Sequence, residues 1–216
     1  MPKIAPSLLS ADFSKLGEEI LSVKNADYLH YDAMDGVFVP NISIGIPVLS
    51  SIRKITDKII DVHLMIVNPL KHIRSFSDAG ADVIVIHLEE NSPDDVIKAI
   101  DLIKSLGKKA GISLKPDTVL SKVLPLMPKL DQLMIMTVEP GMAGQSFMHN
   151  CVAKIKEARA VIDKNGYECK LEVDGGINLE TGKIAVGAGA DILVSGNFIF
   201  LADDREKIIF ELQNLK

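Results

Sequence analysis

Tyr28-Leu29-His30-Tyr31-Asp32-Ala33 is a short and mainly apolar run, and its pattern recurs along the whole chain. Runs of this length and composition are typical of buried β-strands. Counted from the N-terminus, the eight strand candidates are Ile4–Leu9, Tyr28–Ala33, Ile59–Leu64, Val83–His87, Lys109–Leu114, Gln132–Met136, Leu171–Val173 and Ile192–Val194.

Amphipathic stretches separate these strand candidates, and their apolar residues recur at helical spacing. The residues that share a face in each stretch are Leu16, Ile20 and Val23; Leu70, Ile73 and Phe76; Val96, Ile100 and Ile103; Val152, Ile155 and Ile162; and Ile208 and Leu212. Strands that alternate with helices favour parallel pairing through right-handed crossovers.

Two architectures satisfy this alternation, an open doubly wound sheet and a closed barrel. Eight βα units in about 200 residues favour the closed form, a (β/α)₈ TIM barrel of the α/β class. No linker rich in Pro, Gly or Ser divides the chain. We therefore expect residues 1–216 to form a single TIM-barrel domain.

The composition narrows the class of partner. Of 216 residues, 47% are apolar and 25% charged, and the net charge is −5. No long basic run is present, which argues against nucleic acid as a partner but not against a small phosphorylated ligand. Cys151 and Cys169 have no metal-ligand spacing and fit a reducing compartment. Without a signal peptide or a membrane-length apolar run, the sequence predicts a cytoplasmic protein that does not enter a membrane.

In a TIM barrel, functional side chains lie at the C-terminal ends of the strands or in the loops that follow them. The second strand candidate ends with His30 and Asp32, which share a face because strand side chains alternate. The third ends with His63 and the seventh leads into Asp174. These four side chains are expected to converge at the barrel mouth, and two imidazoles with two carboxylates suit one Zn²⁺, Fe²⁺, Mn²⁺ or Co²⁺ ion.

Taken singly, each of these four residues also has an ordinary explanation. A lone histidine in a strand is more often a core residue, and an aspartate before glycine is more often a turn former. Four polar groups at matched strand ends reverse that preference, because burying them unpaired would cost several kcal/mol and a shared metal offsets the cost. The strand-end methionines Met34, Met65 and Met136 have two possible interpretations. They fill the core, or they form an apolar collar that keeps water from the reacting carbon.

Glycine-rich turns follow the sixth, seventh and eighth strand candidates. They contain Gly141, Met142, Ala143 and Gly144; Gly175 and Gly176; and Gly196 and Asn197. Loops at these positions often hold a phosphate through backbone N–H groups, which glycine lets approach closely. Because none of these loops contains Lys or Arg, a sugar monophosphate fits them better than a nucleotide does.

Five motifs together resemble one family, the ribulose-phosphate 3-epimerases. They are Ala5-Pro6-Ser7-Leu8-Leu9-Ser10; His30-Tyr31-Asp32-Ala33-Met34-Asp35-Gly36 with Phe38-Val39-Pro40-Asn41; Asp61-Val62-His63-Leu64-Met65; Met136-Thr137-Val138-Glu139-Pro140-Gly141; and Val173-Asp174-Gly175-Gly176-Ile177. The resemblance runs from Ile4 to the eighth strand candidate, and the order and spacing of the motifs make it specific.

The resemblance implies reversible interconversion of D-ribulose 5-phosphate and D-xylulose 5-phosphate in the pentose phosphate pathway. It implies His30, Asp32, His63 and Asp174 as ligands of one divalent ion, usually zinc, with Asp32 and Asp174 as the acid/base pair. The substrate contacts that it implies are Ser7, His63, Gly141, Met142, Ala143, Gly144, Gly175, Gly176, Gly196 and Asn197. We expect a homo-oligomer whose small-molecule partner is a phosphorylated ketose.

The proposed chemistry explains why two acids are needed. Epimerisation beside a ketone removes a carbon-bound proton from one face and returns one to the other, which a single base cannot easily do. Asp32 and Asp174 on opposite sides of an enediolate intermediate would meet this need, with a cation stabilising the charge on oxygen.

Alternatives to this reading come from two departures and one lysine. Met142-Ala143 and Asn197 depart from the residues that the family usually carries in these loops, and allulose-6-phosphate 3-epimerases, which act on a hexulose phosphate, carry a similar Ala143-Gly144-Gln145 sequence. Lys115, after the fifth strand candidate, would suit a Schiff-base lyase or aldolase. A non-catalytic phosphate-binding barrel is the third alternative. His87 and Glu172 are candidates for supporting the metal ligands.

Overall fold

The computed structural model describes residues 1–89 and 91–216, and eight parallel strands form its central sheet. The strands are β1 (Lys3–Pro6), β2 (Tyr28–Met34), β3 (Ile59–Met65), β4 (Val83–His87), β5 (Lys109–Leu114), β6 (Gln132–Met136), β7 (Lys170–Asp174) and β8 (Ile192–Ser195). From β2 to β8, strands that follow each other in the chain pair in the sheet, and β8 also pairs with β1. A bridge between Ser7 and His30 joins the remaining two edges, so the predicted barrel is confirmed.

The α-helices occupy most of the connections between strands. They are α1 (Leu16–Leu21), α2 (Ile46–Arg53), α3 (Ile73–Ala79), α4 (Pro93–Ser105), α5 (Val152–Asn165), α6 (Leu179–Gly187), α7 (Asn197–Phe200) and α8 (Arg205–Gln213). The β5–β6 connection instead contains two 3₁₀ helices, Leu120–Lys122 and Leu124–Lys129. Pro125 and Pro128 explain this difference, because proline lacks the N–H that an α-helix interior requires.

Two strand boundaries differ in an informative way from the pattern in the sequence. The first strand ends at Pro6 rather than Leu9, because Leu8–Ser10 turns into a short 3₁₀ helix. The seventh extends by one residue at each end, to Lys170 and Asp174, since polar side chains at strand ends do not interrupt backbone pairing. The change at β7 places Asp174 on the strand itself.

The hydrophobic core has two layers. The larger layer lies between the sheet and the helices and includes Leu29, Ile60, Ile84, Ile112 and Leu133, all fully buried. Small clusters fill the inside of the barrel, among them one formed by Val83, Val85, Met134, Met136 and Val138. Polar side chains share this interior, and they account for most of the chemistry described below. None of the described helices is long and apolar enough to cross a membrane.

The N-terminal end of the barrel carries a repeated aspartate contact. One aspartate directly precedes each even-numbered strand, and its carboxylate accepts the backbone N–H of the second residue of the preceding odd-numbered strand. The four pairs are Asp27 with Ile4 at 3.0 Å, Asp82 with Ile60 at 2.9 Å, Asp131 with Ala110 at 2.9 Å, and Asp191 with Leu171 at 2.8 Å. Each carboxylate also meets a cation, Lys3, Arg53, Lys104 and Arg159 respectively. These charge-assisted bonds tie the strands together at the end away from the mouth.

Candidate active site

Strand register brings the predicted site residues His30, Asp32 and His63 together. In the parallel pair β2–β3, His30 lies beside Asp61 and Asp32 beside His63. Because strand side chains alternate faces, the two histidines and two aspartates share the face toward the barrel interior. All four are buried there.

Asp174, at the end of β7, completes a four-residue cluster across the barrel. His30 Nε2 and His63 Nδ1 each lie 3.3 Å from Asp32 Oδ1. Asp174 Oδ2 lies 3.9 Å from His30 Nε2 and 3.8 Å from His63 Nδ1. One ligand atom from each residue thus lies within 4.8 Å of the other three.

This cluster fits a divalent metal ion in spacing and in chemistry. Atoms that bind a tetrahedral zinc at about 2.0–2.1 Å stand about 3.3–3.4 Å apart, near the spacing found here. His30 Nε2 is buried and has no hydrogen-bond partner among the described residues, which leaves its lone pair free for a cation. Two imidazoles and two carboxylates also suit Fe²⁺, Mn²⁺ or Co²⁺. The buried His/Asp cluster can therefore hold a metal ion, while the choice among these metals belongs to the proposal below.

The two aspartates of the cluster have opposite electrostatic settings. Burial pushes the pKa of Asp32 up, but the neighbouring His30 and His63 imidazoles outweigh it and hold that pKa well below its usual range. Burial also raises the pKa of Asp174, to about 6; the imidazoles oppose this rise and the Asp32 charge adds to it. Carboxyl groups whose pKa values are driven apart are suited to act as one acid and one base.

A cavity of about 550 Å³ opens above the cluster at the barrel mouth, with Asp32 and Asp174 in its wall. Nine of the ten residues predicted to contact substrate line it: Ser7, Gly141, Met142, Ala143, Gly144, Gly175, Gly176, Gly196 and Asn197. The tenth, His63, is fully buried and lies behind the wall, beside Asp32. His63 therefore belongs to the four-residue cluster and not to the described lining of the cavity.

Two serines flank the mouth near the end of β1. Ser7 Oγ donates a 2.6 Å hydrogen bond to Asp32 Oδ2, which leaves Asp32 Oδ1 toward the imidazoles. Ser10, which the sequence patterns did not single out, lines the cavity, and its buried hydroxyl has no partner within the described part of the chain. Its place in the Pro6-Ser7-Leu8-Leu9-Ser10 turn after a strand was the available signal.

Backbone geometry explains the glycines of the predicted phosphate loops at two positions. Gly175 has φ +126°, and a Cβ there would lie 2.8 Å from the Val138 backbone nitrogen. Gly144 has φ +77°, and its Cβ would lie 2.7 Å from Asn197 Nδ2. Both positions favour glycine on backbone conformation and on space. The close approach also places the Asn197 amide against the Gly141–Gly144 loop.

The methionines occupy both of the settings considered from the sequence. Met34, Met65 and Met136 are at most 6% exposed, as core residues are. All three also line the cavity below its mouth. Met34 and Met65 pack with Val39, whereas Met136 packs with Met134. They therefore contribute to the apolar part of the cavity wall and belong to the core as well.

His87 and Glu89 extend the cluster beyond His63. His63 Nε2 and His87 Nε2 are 2.9 Å apart, and His87 Nδ1 lies 3.0 Å from Glu89 Oε2. Burial lowers the pKa of His87 to about 4. Burial would raise the pKa of Glu89, but its bonds to His87 and Thr118 hold it at about 2. A neutral imidazole between a metal-ligand candidate and a carboxylate is a supporting contact, and the sequence identified His87 but not its partner.

Lys115, the candidate Schiff-base lysine, is directed elsewhere. Its Nζ lies 4.3 Å from the centroid of the Phe38 ring. Lys115 is not among the residues that line the mouth cavity. This arrangement gives no support to a lyase or aldolase that uses Lys115.

Comparison with known proteins points to one family of enzymes. Residues 3–200 match the model of the ribulose-phosphate 3 epimerase family. A ribulose-phosphate 3-epimerase from Bacillus subtilis is 43% identical over 219 residues, covering 100% of both chains. One from Escherichia coli is 43% identical over 216 residues, covering 98% of this chain and 94% of the other.

Among solved structures, a 3-hexulose-6-phosphate synthase from Salmonella typhimurium superimposes with a TM-score of 0.76 at 19% identity. The match covers 97% of this chain and 96% of that one. At this identity the likeness speaks for the barrel alone, which agrees with the strand order described above.

Proposed function

This chain belongs to the ribulose-phosphate 3-epimerase family, and we propose that it interconverts D-ribulose 5-phosphate and D-xylulose 5-phosphate with Asp32 and Asp174 as the two acid/base groups. The observation that carries the assignment is their joint position in the wall of one cavity, in contact with the same two histidines. The epimerase class follows from the family; the roles of individual residues are the proposal.

Two carboxyl groups give the reaction access to both faces of the carbon. In one direction, ionised Asp32 takes the proton from carbon 3, and protonated Asp174 gives a proton to the opposite face. The reverse direction exchanges the roles and restores the starting state. The lowered pKa of Asp32 and the raised pKa of Asp174 support this division of labour.

The four ligand candidates His30, Asp32, His63 and Asp174 would hold one divalent ion, for which we propose Zn²⁺. When bound, such an ion stabilises negative charge on the oxygens beside the reacting carbon. Ser7 supports this arrangement, because its hydrogen bond to Asp32 Oδ2 fixes the carboxylate rotation. Asp32 therefore has a fixed orientation before substrate arrives.

The remaining cavity residues would position the sugar. Backbone N–H groups of the loops at Gly141–Gly144, Gly175–Gly176 and Gly196–Asn197 would hold the phosphate without a basic side chain. Met34, Met65 and Met136 would exclude water from the carbon that loses its proton. We further propose that residues 1–216 act as a single domain within a cytoplasmic homo-oligomer.

The metal requirement is tested by removal and restoration. We expect chelation to abolish epimerisation and one equivalent of Zn²⁺, Fe²⁺, Mn²⁺ or Co²⁺ per chain to restore it, with the metal content of the same sample measured. Far-UV circular dichroism is expected to be unchanged, because the barrel core does not include the ion. Full turnover in metal-free protein would refute the metal role.

The substrate is tested by direct comparison in the same preparation. We expect kcat/KM for ribulose 5-phosphate to exceed that for allulose 6-phosphate, since the relatives described above carry the name of the pentose enzyme. The opposite ranking would assign a hexulose phosphate and would point to Met142, Ala143 and Asn197 as the cause. Exchange of the carbon-bound proton with solvent separates both from a barrel that only binds phosphate.

A further inference from the structure

A second group of polar side chains lies inside the barrel, beneath the four-residue cluster. It consists of His30, Asp61, Glu172 and Gln132, contributed by β2, β3, β7 and β6. The first three are 0% exposed and Gln132 is 3% exposed. Polar groups buried this deeply cost free energy unless they have hydrogen-bond partners. The partners of each group therefore show what the group does.

The first contact in this group fixes the orientation of an imidazole. His30 Nδ1 lies 3.0 Å from Asp61 Oδ2, and the two residues are register neighbours in β2 and β3. A carboxylate accepts hydrogen bonds and donates none, so Nδ1 carries the proton. Nε2 then carries the lone pair, and Nε2 is the atom that faces Asp32 and Asp174.

The far side of Asp61 is supported in turn. Asp61 Oδ1 and Glu172 Oε1 are both buried and have no partner among the described residues, yet the ligand atoms of His30, Asp61 and Glu172 all lie within 4.8 Å. Glu172 therefore lies against Asp61 in the same buried group, beneath His30. Gln132 Nε2 donates to Glu172 Oε2 at 2.5 Å and completes the row.

We propose that Asp61, supported by Glu172 and Gln132, is a positioning residue that holds His30 with Nε2 toward the metal site. This inference rests on the proposed function, because it takes His30 as a metal ligand. A carboxylate bonded to the distal nitrogen of a ligand histidine sets the tautomer, restricts ring rotation and raises the basicity of the ligand nitrogen. A second ion among His30, Asp61 and Glu172 is the competing occupant, and the short His30–Asp61 contact favours a hydrogen bond instead.

The decisive measurement is metal affinity rather than turnover. We expect Asp61→Asn, which keeps the side-chain volume, to raise the Kd for Zn²⁺ about 10–100-fold in competition with a chromophoric chelator. Glu172→Gln is expected to stay close to wild type, because an amide of the same size can donate a hydrogen bond to Asp61. Asp191→Asn is the matched control: this aspartate also serves a backbone N–H and a cation, at the opposite end of the barrel, and we expect an unchanged Kd.

Nitrogen-15 NMR of the Zn²⁺-loaded wild type tests the same idea without a substitution. The expected signature is His30 with its proton on Nδ1 and none on Nε2; a proton on Nε2 and none on Nδ1 would overturn the proposal. An unchanged Kd for Asp61→Asn would also overturn it, as would two Zn²⁺ ions per chain. If the wild type bound none of Zn²⁺, Fe²⁺, Mn²⁺ and Co²⁺, in contrast, the proposed metal site itself would be refuted.

Discussion

The two ends of this barrel use aspartate in opposite ways. At the N-terminal end, Asp27, Asp82, Asp131 and Asp191 each accept a backbone N–H and face a cation. At the mouth, no described residue donates a hydrogen bond to the Asp174 carboxylate, and Asp32 accepts one from Ser7 while its other oxygen faces two imidazoles.

This difference separates stability from chemistry. A carboxylate whose partners are all present lowers the free energy of the folded state and has nothing left to offer a ligand. A buried carboxylate that lacks some of its hydrogen-bond donors costs stability, and it persists where a ligand or a reaction uses it. The N-terminal end of the barrel can therefore hold the strands in place, while the mouth keeps carboxylates whose hydrogen bonding is incomplete.

The largest effect is expected from a change at the mouth. Asp174→Asn or Asp32→Asn removes one proton-transfer group and is expected to lower kcat about 10²–10⁴-fold. The free energy of unfolding of the metal-free Asp174→Asn protein is expected to equal or exceed that of wild type, since no protein hydrogen bond to this carboxylate is lost. Steady-state kinetics and urea unfolding provide the two measurements. Either variant turning over near the wild-type rate would exclude the two-base assignment.

A change at the opposite end is expected to do the reverse. Asp191→Ala leaves the Leu171 N–H without its carboxylate acceptor and removes the partner that Arg159 meets at 2.6 Å. We expect the free energy of unfolding to fall by about 1–3 kcal/mol, with kcat of the metal-loaded enzyme unchanged. Urea unfolding measures the first quantity and an epimerase assay the second.

The control for Asp191→Ala is Asp101→Ala, which removes a surface ion pair with Lys129 in which both side chains are about half exposed. Exposed pairs contribute about 0–1 kcal/mol, so this loss is expected to be the smaller of the two. Equal losses in the two variants would mean that the repeated contact has no special stabilising role.

Much of the fold could be predicted because it depends on local patterns. Eight apolar runs give eight strands, and five of the helices bury the faces that the periodicity indicates. The missing α-helix between β5 and β6 was less visible, since only Pro125 and Pro128 signal it. The aspartate before each even-numbered strand is also a regular pattern in the sequence, yet its partner N–H belongs to another strand and depends on register.

In the candidate site, too, some features could be predicted from the sequence and others could not. The meeting of His30, Asp32, His63 and Asp174 could be predicted, because strand ends in a barrel share one rim. Contacts between side chains of different strands could not: the His63–His87 pair and the His30–Asp61 bond depend on register and rotamer. Sequence spacing alone therefore identifies metal-ligand candidates better than the residues that orient them.

The smallest expected effect is a pH dependence at the N-terminal end, carried by Asp27. Burial would raise the pKa of this carboxyl, but hydrogen bonds from Lys3, Gln213 and the Ile4 N–H outweigh it and lower the pKa below its ordinary value of 3.8. The folded state therefore favours the ionised form, and this stabilisation is complete above the unfolded pKa and is lost as pH falls through the folded one. At pH 7 the contribution is expected to be about 1 kcal/mol or less, since Lys3 is exposed.

Asp27→Asn tests this, because the amide oxygen can still accept the Ile4 N–H while the charge is gone. We expect the wild-type free energy of unfolding to exceed that of the variant at pH 7, and the two to converge as the pH is lowered from about 4 toward 3 in urea titrations. A difference that stays constant over this range would show that Asp27 stabilises the barrel through its hydrogen bonds alone. In that case the charge of Asp27 would add no measurable stability, and the contrast between the two ends of the barrel would rest on hydrogen bonding rather than on charge.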